Sequence, residues 1–278
     1  MKSKASSKQN SKPELLMFEA CEKGDACKIQ QLLAANVSVN VRDQRGNWTG
    51  ATPLMYATKA GQVECVKVLL AAGADPNLAD SPIPLGGGKR TALYFAAQTG
   101  NLEIATLLVE AKANVNFVTK DDYGTALSLA VSRGNETLVR LLLRSGANPN
   151  LAEALDTACS NKQKRLVPLL IEAGAEVNKQ GRTGSTPLMS ALFEQQKEIV
   201  LELFKHNPRL ELTDIYGNTA LMWAVIRCRA ELVELMIKKG AKINARNKEG
   251  MTALDYAIRD RKRTIIPLLQ KFGAKSGK

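Results

Sequence analysis

Histidine is almost missing from this chain of 278 residues, which contains only His206. That scarcity nearly excludes a triad of serine, histidine and aspartate, and a zinc site built on histidines. His206 lies where we expect a helix to end, and a cationic side chain is favourable there. We therefore predict no catalytic residue, no metal ligand and no cofactor, and we expect the protein not to be an enzyme.

Cysteine is also scarce, and its spacing fits no metal site. The five cysteines are at positions 21, 27, 65, 159 and 228, and no Cys-x-x-Cys pair occurs. An odd number without paired spacing argues against a disulfide framework and against a zinc ribbon. We expect free, buried thiols in a reducing cytosol.

Long apolar runs are absent as well. No stretch of about 18 apolar residues occurs, so the sequence predicts no membrane span. The N-terminal segment MKSKASSKQNSKP is polar and basic and lacks the apolar run of a secretory signal. We expect a cytoplasmic protein, and a secreted effector that acts in a host cytosol is the alternative left open.

A glycine-rich segment, residues 86–88, lacks the spacing of a phosphate-binding loop. A Walker motif needs Gly-Lys followed by Ser or Thr, and a first glycine five residues earlier. Here Gly88-Lys89 is followed by Arg90, and Ile83 occupies the position of the first glycine. We expect an inserted loop with a basic end.

The sequence does contain internal repeats. Thr52-Pro53-Leu54 recurs as Thr91-Ala92-Leu93, and similar triplets begin at Thr125, Thr186, Thr219 and Thr252. A second signature, such as AAGADPN from Ala71, follows about 21 residues after the threonine. The equivalent leucines are separated by 39, 34, 28, 33, 33 and 33 residues. A dominant step of 33 is typical of a solenoid.

Each repeat is predicted to form two short helices. The threonine hydroxyl can cap the free N–H groups of the first helix, and proline is tolerated in its first turn. The second helix has an apolar stripe, for example Val63, Val66 and Leu69. Gly73 then suits the left-handed residue that ends a helix, and the polar segment after it suits a hairpin-like turn.

These motifs resemble the ankyrin-repeat family over residues 14–274. The resemblance implies an all-α fold, a solenoid of stacked helix-turn-helix units with hairpin-like loops. We count eight repeats, whose first helices are centred near Ala20, Ala57, Ala96, Ala130, Ala158, Ala191, Ala224 and Ala257. We divide the chain into a disordered basic tail (1–13), repeats one to four (14–150), repeats five to eight (151–274) and a C-terminal tail (275–278).

Several departures from the repeat predict irregularity. The join between repeats four and five is five residues short, so we expect a notch or bend near residue 150. Pro168 and Pro267 should shorten or kink second helices unless they lie in the first turn. The glycine that closes the early first helices, at positions 61, 100 and 134, becomes Lys162, Gln195, Cys228 and Arg261 later in the chain.

Positive charge is concentrated at the two ends of the chain. The formal net charge is +12, and the bases cluster in residues 1–13 and 259–278. The body is nearly neutral, which does not support a basic groove for nucleic acid. The alternative function is therefore an electrostatic binder of nucleic acid or anionic membrane through these terminal segments.

The resemblance implies a protein–protein interaction module, an adaptor, scaffold or inhibitor that binds a partner protein on the concave face. We expect a monomer when free, a partner protein whose surface could be acidic, and no small-molecule substrate. Carried over by position, the candidate contacts are the hairpin tips and the ends of the first helices: Trp48, Thr49, Lys59, Lys89, Arg90, Asp122, Tyr123, Arg133, Arg182, Phe193, Tyr216, Arg227, Lys248 and Arg259.

Aromatic residues single out part of this set. The chain has two tryptophans, five tyrosines and six phenylalanines, and Trp48, Tyr123, Phe193 and Tyr216 are placed where the repeat core does not need them. Aromatic and arginine side chains are enriched at interface hot spots. The alternative is packing between neighbouring tips. Trp223 lies within a first helix, where we expect core or flank packing.

Overall fold

The computed structural model describes residues 10–45, 48–80, 89–119, 124–227 and 230–277. Within these ranges the chain forms sixteen α-helices and no strands, as predicted for an all-α repeat fold. The helices are α1 (Lys12–Lys23), α2 (Ala26–Ala34), α3 (Pro53–Lys59), α4 (Val63–Ala71), α5 (Ala92–Thr99), α6 (Leu102–Glu110), α7 (Ala126–Ser132), α8 (Glu136–Arg144), α9 (Ala154–Ser160), α10 (Leu166–Glu172), α11 (Pro187–Phe193), α12 (Lys197–Phe204), α13 (Ala220–Arg227), α14 (Ala230–Lys238), α15 (Ala253–Arg259) and α16 (Ile265–Lys271). The odd-numbered helices are the first helices of the eight predicted repeats.

The repeated threonine begins the first helices by capping them. The hydroxyl oxygen of Thr52 accepts a hydrogen bond from the backbone N–H of Met55 at 3.4 Å, and Thr91 caps Tyr94 in the same way. Thr125, Thr186, Thr219 and Thr252 repeat the contact. The fifth repeat, which lacks this threonine, starts α9 after Glu153, with no side-chain cap. Local capping therefore places most first helices where the sequence predicts them.

The turn between the paired helices is left-handed whether or not glycine occupies it. Gly61 and Gly100 have φ of 75° and 74°. Lys162, Gln195 and Arg261 take the same conformation, with φ of 60°, 58° and 53°. Residues with a Cβ are strained there, so packing of the repeats fixes this turn against a local preference. Position 228 lies outside the described residues.

Pro168 and Pro267 lie in the first turn of their helices, where proline is tolerated. Pro168 is the third residue of α10 and Pro267 the third residue of α16. An N–H in the first turn has no intrahelical partner, so proline breaks no hydrogen bond there. Both helices have seven residues, against nine in α2, α4, α6 and α8. The prolines thus shorten these helices from their N-terminal side.

The chain divides into two compact units, residues 1–152 (unit 1) and 153–278 (unit 2). In each unit a first helix packs against its own second helix and against the neighbouring first helices, as α5 does with α3, α6 and α7, and α11 with α9, α12 and α13. Buried alanines such as Ala57 and Ala191 allow this close approach, and leucines such as Leu69 fill the layers between. The division falls two residues after the predicted join, where Ala152 and Glu153 both have positive φ.

Three of the four described cysteines are buried. Cys21, Cys65 and Cys159 are free and buried as expected, whereas Cys27 is exposed, because it lies on the solvent side at the start of α2. Cys228 lies outside the described residues.

Helix α1 begins at Lys12, inside the segment assigned to the tail. In the described ranges, no helix has the length and apolarity to cross a bilayer.

Candidate functional site

The loops that lead from a second helix to the next first helix, here called tips, share one backbone contact. The N–H of a residue at the base of the tip donates to the carbonyl of the residue before the capping threonine. These base pairs are Asp43–Ala51, Asp80–Arg90, Thr119–Gly124, Gly181–Ser185, Asp214–Asn218 and Asn247–Met251. Because the contact recurs, it identifies equivalent positions in tips of different length.

In unit 1 the first tip aspartate is neutralised by its own neighbours. The Asp43 carboxylate accepts hydrogen bonds from Arg45 Nη2 at 2.9 Å and from the Tyr56 hydroxyl at 2.6 Å. Burial raises the pKa of Asp43, but the hydrogen bonds from Arg45 and Tyr56 outweigh it and hold the pKa below its ordinary value. This carboxylate is structural.

The next tip of unit 1 repeats the arrangement. Asp80 Oδ2 accepts from Arg90 Nη2 at 2.7 Å, from Arg90 Nε at 3.0 Å and from Trp48 Nε1 at 3.1 Å. The Arg90 guanidinium also lies 5.1 Å above the ring of Phe95. Arg90, predicted as a partner contact, is therefore engaged in an internal ion pair and a ring contact.

Trp48 packs against two first helices and donates to the next tip, whereas the alternative that the sequence left open was packing between neighbouring tips. Its half-buried ring lies 4.3 Å from the ring of Tyr56 and 5.1 Å from that of Phe95. The Lys59 ammonium, another predicted contact, is 4.4 Å from the Trp48 ring centroid. This tryptophan joins consecutive repeats of unit 1 rather than standing free.

Unit 2 contains an open groove between its tips and its first helices. The groove has a volume of about 370 Å³. It is lined by Ser160, Thr183, Ser185, Met189, Ser190, Phe193, Glu194, Asp214, Tyr216 and Trp223. Two predicted contacts, Phe193 and Tyr216, thus face one cavity.

Large apolar side chains are exposed at this groove. Tyr216 is 64% exposed, its tip neighbour Ile215 is 47% exposed and Phe193 is 39% exposed. The Phe193 ring makes an edge contact with Trp223 at 5.4 Å, and the Arg227 guanidinium lies 4.2 Å from the Phe193 ring centroid. Arg227 Nε also donates to the carbonyl of Phe193 at 3.2 Å. Phe193 and Tyr216 therefore line the groove, and Arg227 packs on Phe193 beside it.

The floor of the groove holds the tip aspartate of unit 2. Asp214 is 5% exposed and accepts from the backbone N–H groups of Tyr216 at 2.9 Å and Asn218 at 2.8 Å. Its Oδ2 accepts from Trp223 Nε1 at 3.0 Å. Among the described residues no cationic group lies within ion-pair distance of Asp214. Asp214 is hydrogen-bonded by neutral donors alone.

Two further carboxylates lie near the groove. Glu194 pairs with Lys162 at 3.3 Å. On α9, Asp156 accepts a hydrogen bond from the lining residue Ser190 at 2.6 Å. Burial raises the pKa of Asp156, and the Ser190 hydrogen bond offsets this only in part. The groove is therefore apolar on its walls and acidic beneath.

The remaining predicted contacts are dispersed. Arg259 pairs with Asp260 at 2.8 Å and lies 4.6 Å from the ring of Tyr256. Thr49 is half-buried. Lys89, Arg133, Arg182 and Lys248 are exposed at tips or helix ends. Asp122 and Tyr123 lie outside the described residues. In the described part of the chain, no group of three metal-ligating side chains is brought together.

The sequence did contain a signal for the residues that were missed. An aromatic residue recurs four positions after the capping threonine, as Tyr56, Phe95, Trp223 and Tyr256. Each of these side chains reaches toward a tip: Tyr56 donates to Asp43 and Trp223 to Asp214. Reading this position together with the base of the tip would have identified Asp214 and Trp223.

Comparison with known proteins agrees with the repeat pattern. A family model described as ankyrin repeats (3 copies) matches residues 2–80, 83–153, 155–247 and 207–277, and a second, ankyrin repeats (many copies), matches residues 54–109. Mouse inversin is 35% identical over 148 residues, which are 53% of this chain and 12% of inversin. Human ankyrin repeat and SOCS box protein 16 is 30% identical over 189 residues, 63% of this chain and 40% of that protein.

A solved structure supports the same fold. The human ASB11 ankyrin repeat domain aligns with a TM-score of 0.63 at 23% identity, covering 81% of this chain and 97% of that domain. At this identity the likeness concerns the fold alone. Mouse inversin is a much longer protein, and this chain spans only 12% of its length.

Proposed function

The chain belongs to the ankyrin-repeat family, and from this premise we propose that it is a non-enzymatic adaptor, scaffold or inhibitor that binds a partner protein through the groove of unit 2. The family's fold is in general an interaction fold, with the contact surface on tips and first helices. The groove lies between these two kinds of element in unit 2. We further propose that the protein is a monomer when free and works in the cytosol.

One observation supports this choice of surface: two exposed aromatic side chains, Tyr216 and Phe193, line the groove. Tyr216, Ile215 and Phe193 present their side chains to solvent although a buried core would lower their free energy. Contiguous exposed apolar surface commonly marks a protein contact, and a central aromatic residue often dominates its binding energy. In unit 1, by contrast, Trp48 is packed within the repeats.

The test is a pull-down from lysate of the source cell, after nuclease treatment and at physiological salt. Wild-type protein is compared with Tyr216→Ala, with Phe193→Ala and with Leu201→Ala. Leu201 is a matched control, because it is 42% exposed but lies on α12, away from the groove lining. We expect one stoichiometric protein to be retained by wild type and Leu201→Ala. Both groove variants should lose it, with at least tenfold weaker binding.

Retention of the same partner by Tyr216→Ala and Phe193→Ala would contradict a role for the groove. Recovery of many anionic species, equal for all four baits and removed by moderate salt, would favour the electrostatic alternative. That alternative rests on the terminal lysines and arginines. Two of the C-terminal ones already make internal contacts: Arg259 pairs with Asp260, and Lys262 Nζ donates to the carbonyl of Ile226.

A further inference from the structure

Two tip aspartates accept a hydrogen bond from a tryptophan N–H, one from the preceding tip and one from the following helix, and they differ in whether a cation pairs with them. In unit 1, Asp80 accepts from Trp48 Nε1 and also pairs with the Arg90 guanidinium. In unit 2, Asp214 accepts from Trp223 Nε1, but the residue equivalent to Arg90 is Asn218. Its amide nitrogen lies 3.4 Å from Asp214 Oδ2 and adds no charge. The groove therefore has the carboxylate of this arrangement without its cation.

Unit 2 also has the aromatic ring of this arrangement. Phe95 and Trp223 occupy the same place in their repeats, four residues after the capping threonine. Arg90 lies over Phe95 while it pairs with Asp80. Among the described residues, no cationic side chain lies over the Trp223 ring. A guanidinium placed as Arg90 is placed would contact the Trp223 ring and Asp214 together.

We infer that the partner supplies this guanidinium: the groove of unit 2 takes an arginine side chain of the partner protein, which contacts Trp223 and pairs with Asp214. This inference rests on the proposed function. Arginine is favoured over lysine because a planar guanidinium can lie along a ring and still donate in-plane hydrogen bonds to a carboxylate. Ser190 and Ser185 offer further acceptors in the lining.

The charges around the groove are compatible with a cationic occupant. Glu194 lines it, and Asp156 lies behind Ser190. The nearby cations are engaged elsewhere: Lys162 pairs with Glu194, and Arg227 lies on Phe193 and donates to its carbonyl. Neither Lys162 nor Arg227 is among the lining residues. The cavity itself thus presents acidic and aromatic groups to the occupant.

The chain offers a direct readout, because it has two tryptophans and only Trp223 contacts Asp214. The full chain, labelled with ¹⁵N, is titrated with a blocked Gly-Arg-Gly peptide while the two indole N–H signals are followed. The matched probes replace arginine by citrulline, which is its neutral isostere, or by lysine. We expect a saturable shift of the Trp223 signal with arginine, and affinities about tenfold lower for the other two peptides.

Three variants complete the test. Asn218→Arg supplies the cation internally and should abolish the shift, whereas Asn218→Gln adds no charge and should keep it. Asn218 also contacts Asn247 and Tyr256, so Asp214→Asn provides a second route. That variant keeps an acceptor for the backbone N–H groups and should remove the preference for arginine over citrulline.

The outcomes separate this inference from the proposed function. Equal binding of citrulline and arginine, equal binding of lysine and arginine, or no shift of Trp223 would each overturn the arginine assignment. A partner that is still lost on Tyr216→Ala would leave the groove as a protein-binding site in all three cases. Loss of arginine binding in Asn218→Arg, together with its retention in Asn218→Gln, supports the inference.

Discussion

Trp48 in unit 1 and Tyr216 in unit 2 both sit at tips, yet their surroundings differ. Trp48 is half-buried, makes tilted and edge ring contacts with Tyr56 and Phe95 and donates to Asp80. Tyr216 is 64% exposed and borders a groove. The tip aspartates also differ between the units. Asp43 and Asp80 pair with arginines, whereas Asp214 accepts hydrogen bonds from neutral donors. A similar set of residues is packed within the repeats of unit 1 and borders an open groove in unit 2.

The largest effect should come from breaking the aromatic packing of unit 1. We expect Trp48→Ala to lower the free energy of unfolding by about 3 kcal/mol, because ring contacts and a hydrogen bond to a buried carboxylate are lost together. Tyr216→Ala should change it by no more than about 0.5 kcal/mol. Urea denaturation followed by circular dichroism measures both. A stable Trp48→Ala protein would show that the two tips do not differ in this way.

This contrast shows what a sequence can predict in a repeat protein. The first helices follow from local chemistry, because each capping threonine bonds to a residue three positions away, as Thr52 does with Met55. Whether Trp48 is packed or free depends on Asp80, 32 residues later, and on the direction its side chain takes across the stack. The repeat pattern fixes the positions of such residues, while their accessibility depends on neighbours in other repeats.

The second effect concerns the charges of the same tips. Asp80→Ala should lower the free energy of unfolding by about 2 kcal/mol, because it leaves Arg90 and the Trp48 N–H without their acceptor. The conservative control Arg90→Lys keeps a charge but loses the two-nitrogen contact and should have a smaller effect. Hydrogen exchange, which reports each unit separately, should place the loss in unit 1. A loss spread evenly over both units would argue against a local role for Asp80.

The third prediction concerns Asp255, at the C-terminal end of unit 2. Asp255 accepts hydrogen bonds from Ser276 Oγ at 2.6 Å and from the N–H groups of Thr252 and Gly277 at 2.7 Å and 2.8 Å. Burial raises the pKa of Asp255, but these hydrogen bonds outweigh it and lower the pKa to about 2. Residues 275–277 are thereby fastened to the last repeat.

Because the folded-state pKa of Asp255 lies below its unfolded value, its contribution is complete above pH 4 and is lost as the pH falls toward 2. After allowance for solvent screening, we expect this to amount to about 1–2 kcal/mol. Acid titration of the unfolding free energy should be flatter in Asp255→Asn than in wild type over this interval. An unchanged acid response would mean that the tail contact does not contribute to the stability of the last repeat.

The smallest predicted effect comes from exchanging the residues that close equivalent first helices in the two units. Gly61 in unit 1 and Gln195 in unit 2 close equivalent first helices with φ of 75° and 58°. A Cβ on Gly61 would meet only Asn101 Nδ2, at 3.9 Å, so backbone strain decides the outcome there. We expect Gly61→Gln to destabilise by about 0.5–1 kcal/mol and Gln195→Gly to stabilise by a similar amount.

Thermal unfolding, with Trp48 reporting unit 1 and Trp223 reporting unit 2, measures the two changes separately. If Gln195→Gly lowers the stability of unit 2, the left-handed turn there is not strained and the comparison of the two turns is wrong. Gln195 follows Glu194, which lines the groove, so arginine binding should be measured on the same variant. Greater stability with unchanged binding would mean that the strain at Gln195 is independent of the groove. Weaker binding would mean that the side chain at this turn helps to shape the groove beside it.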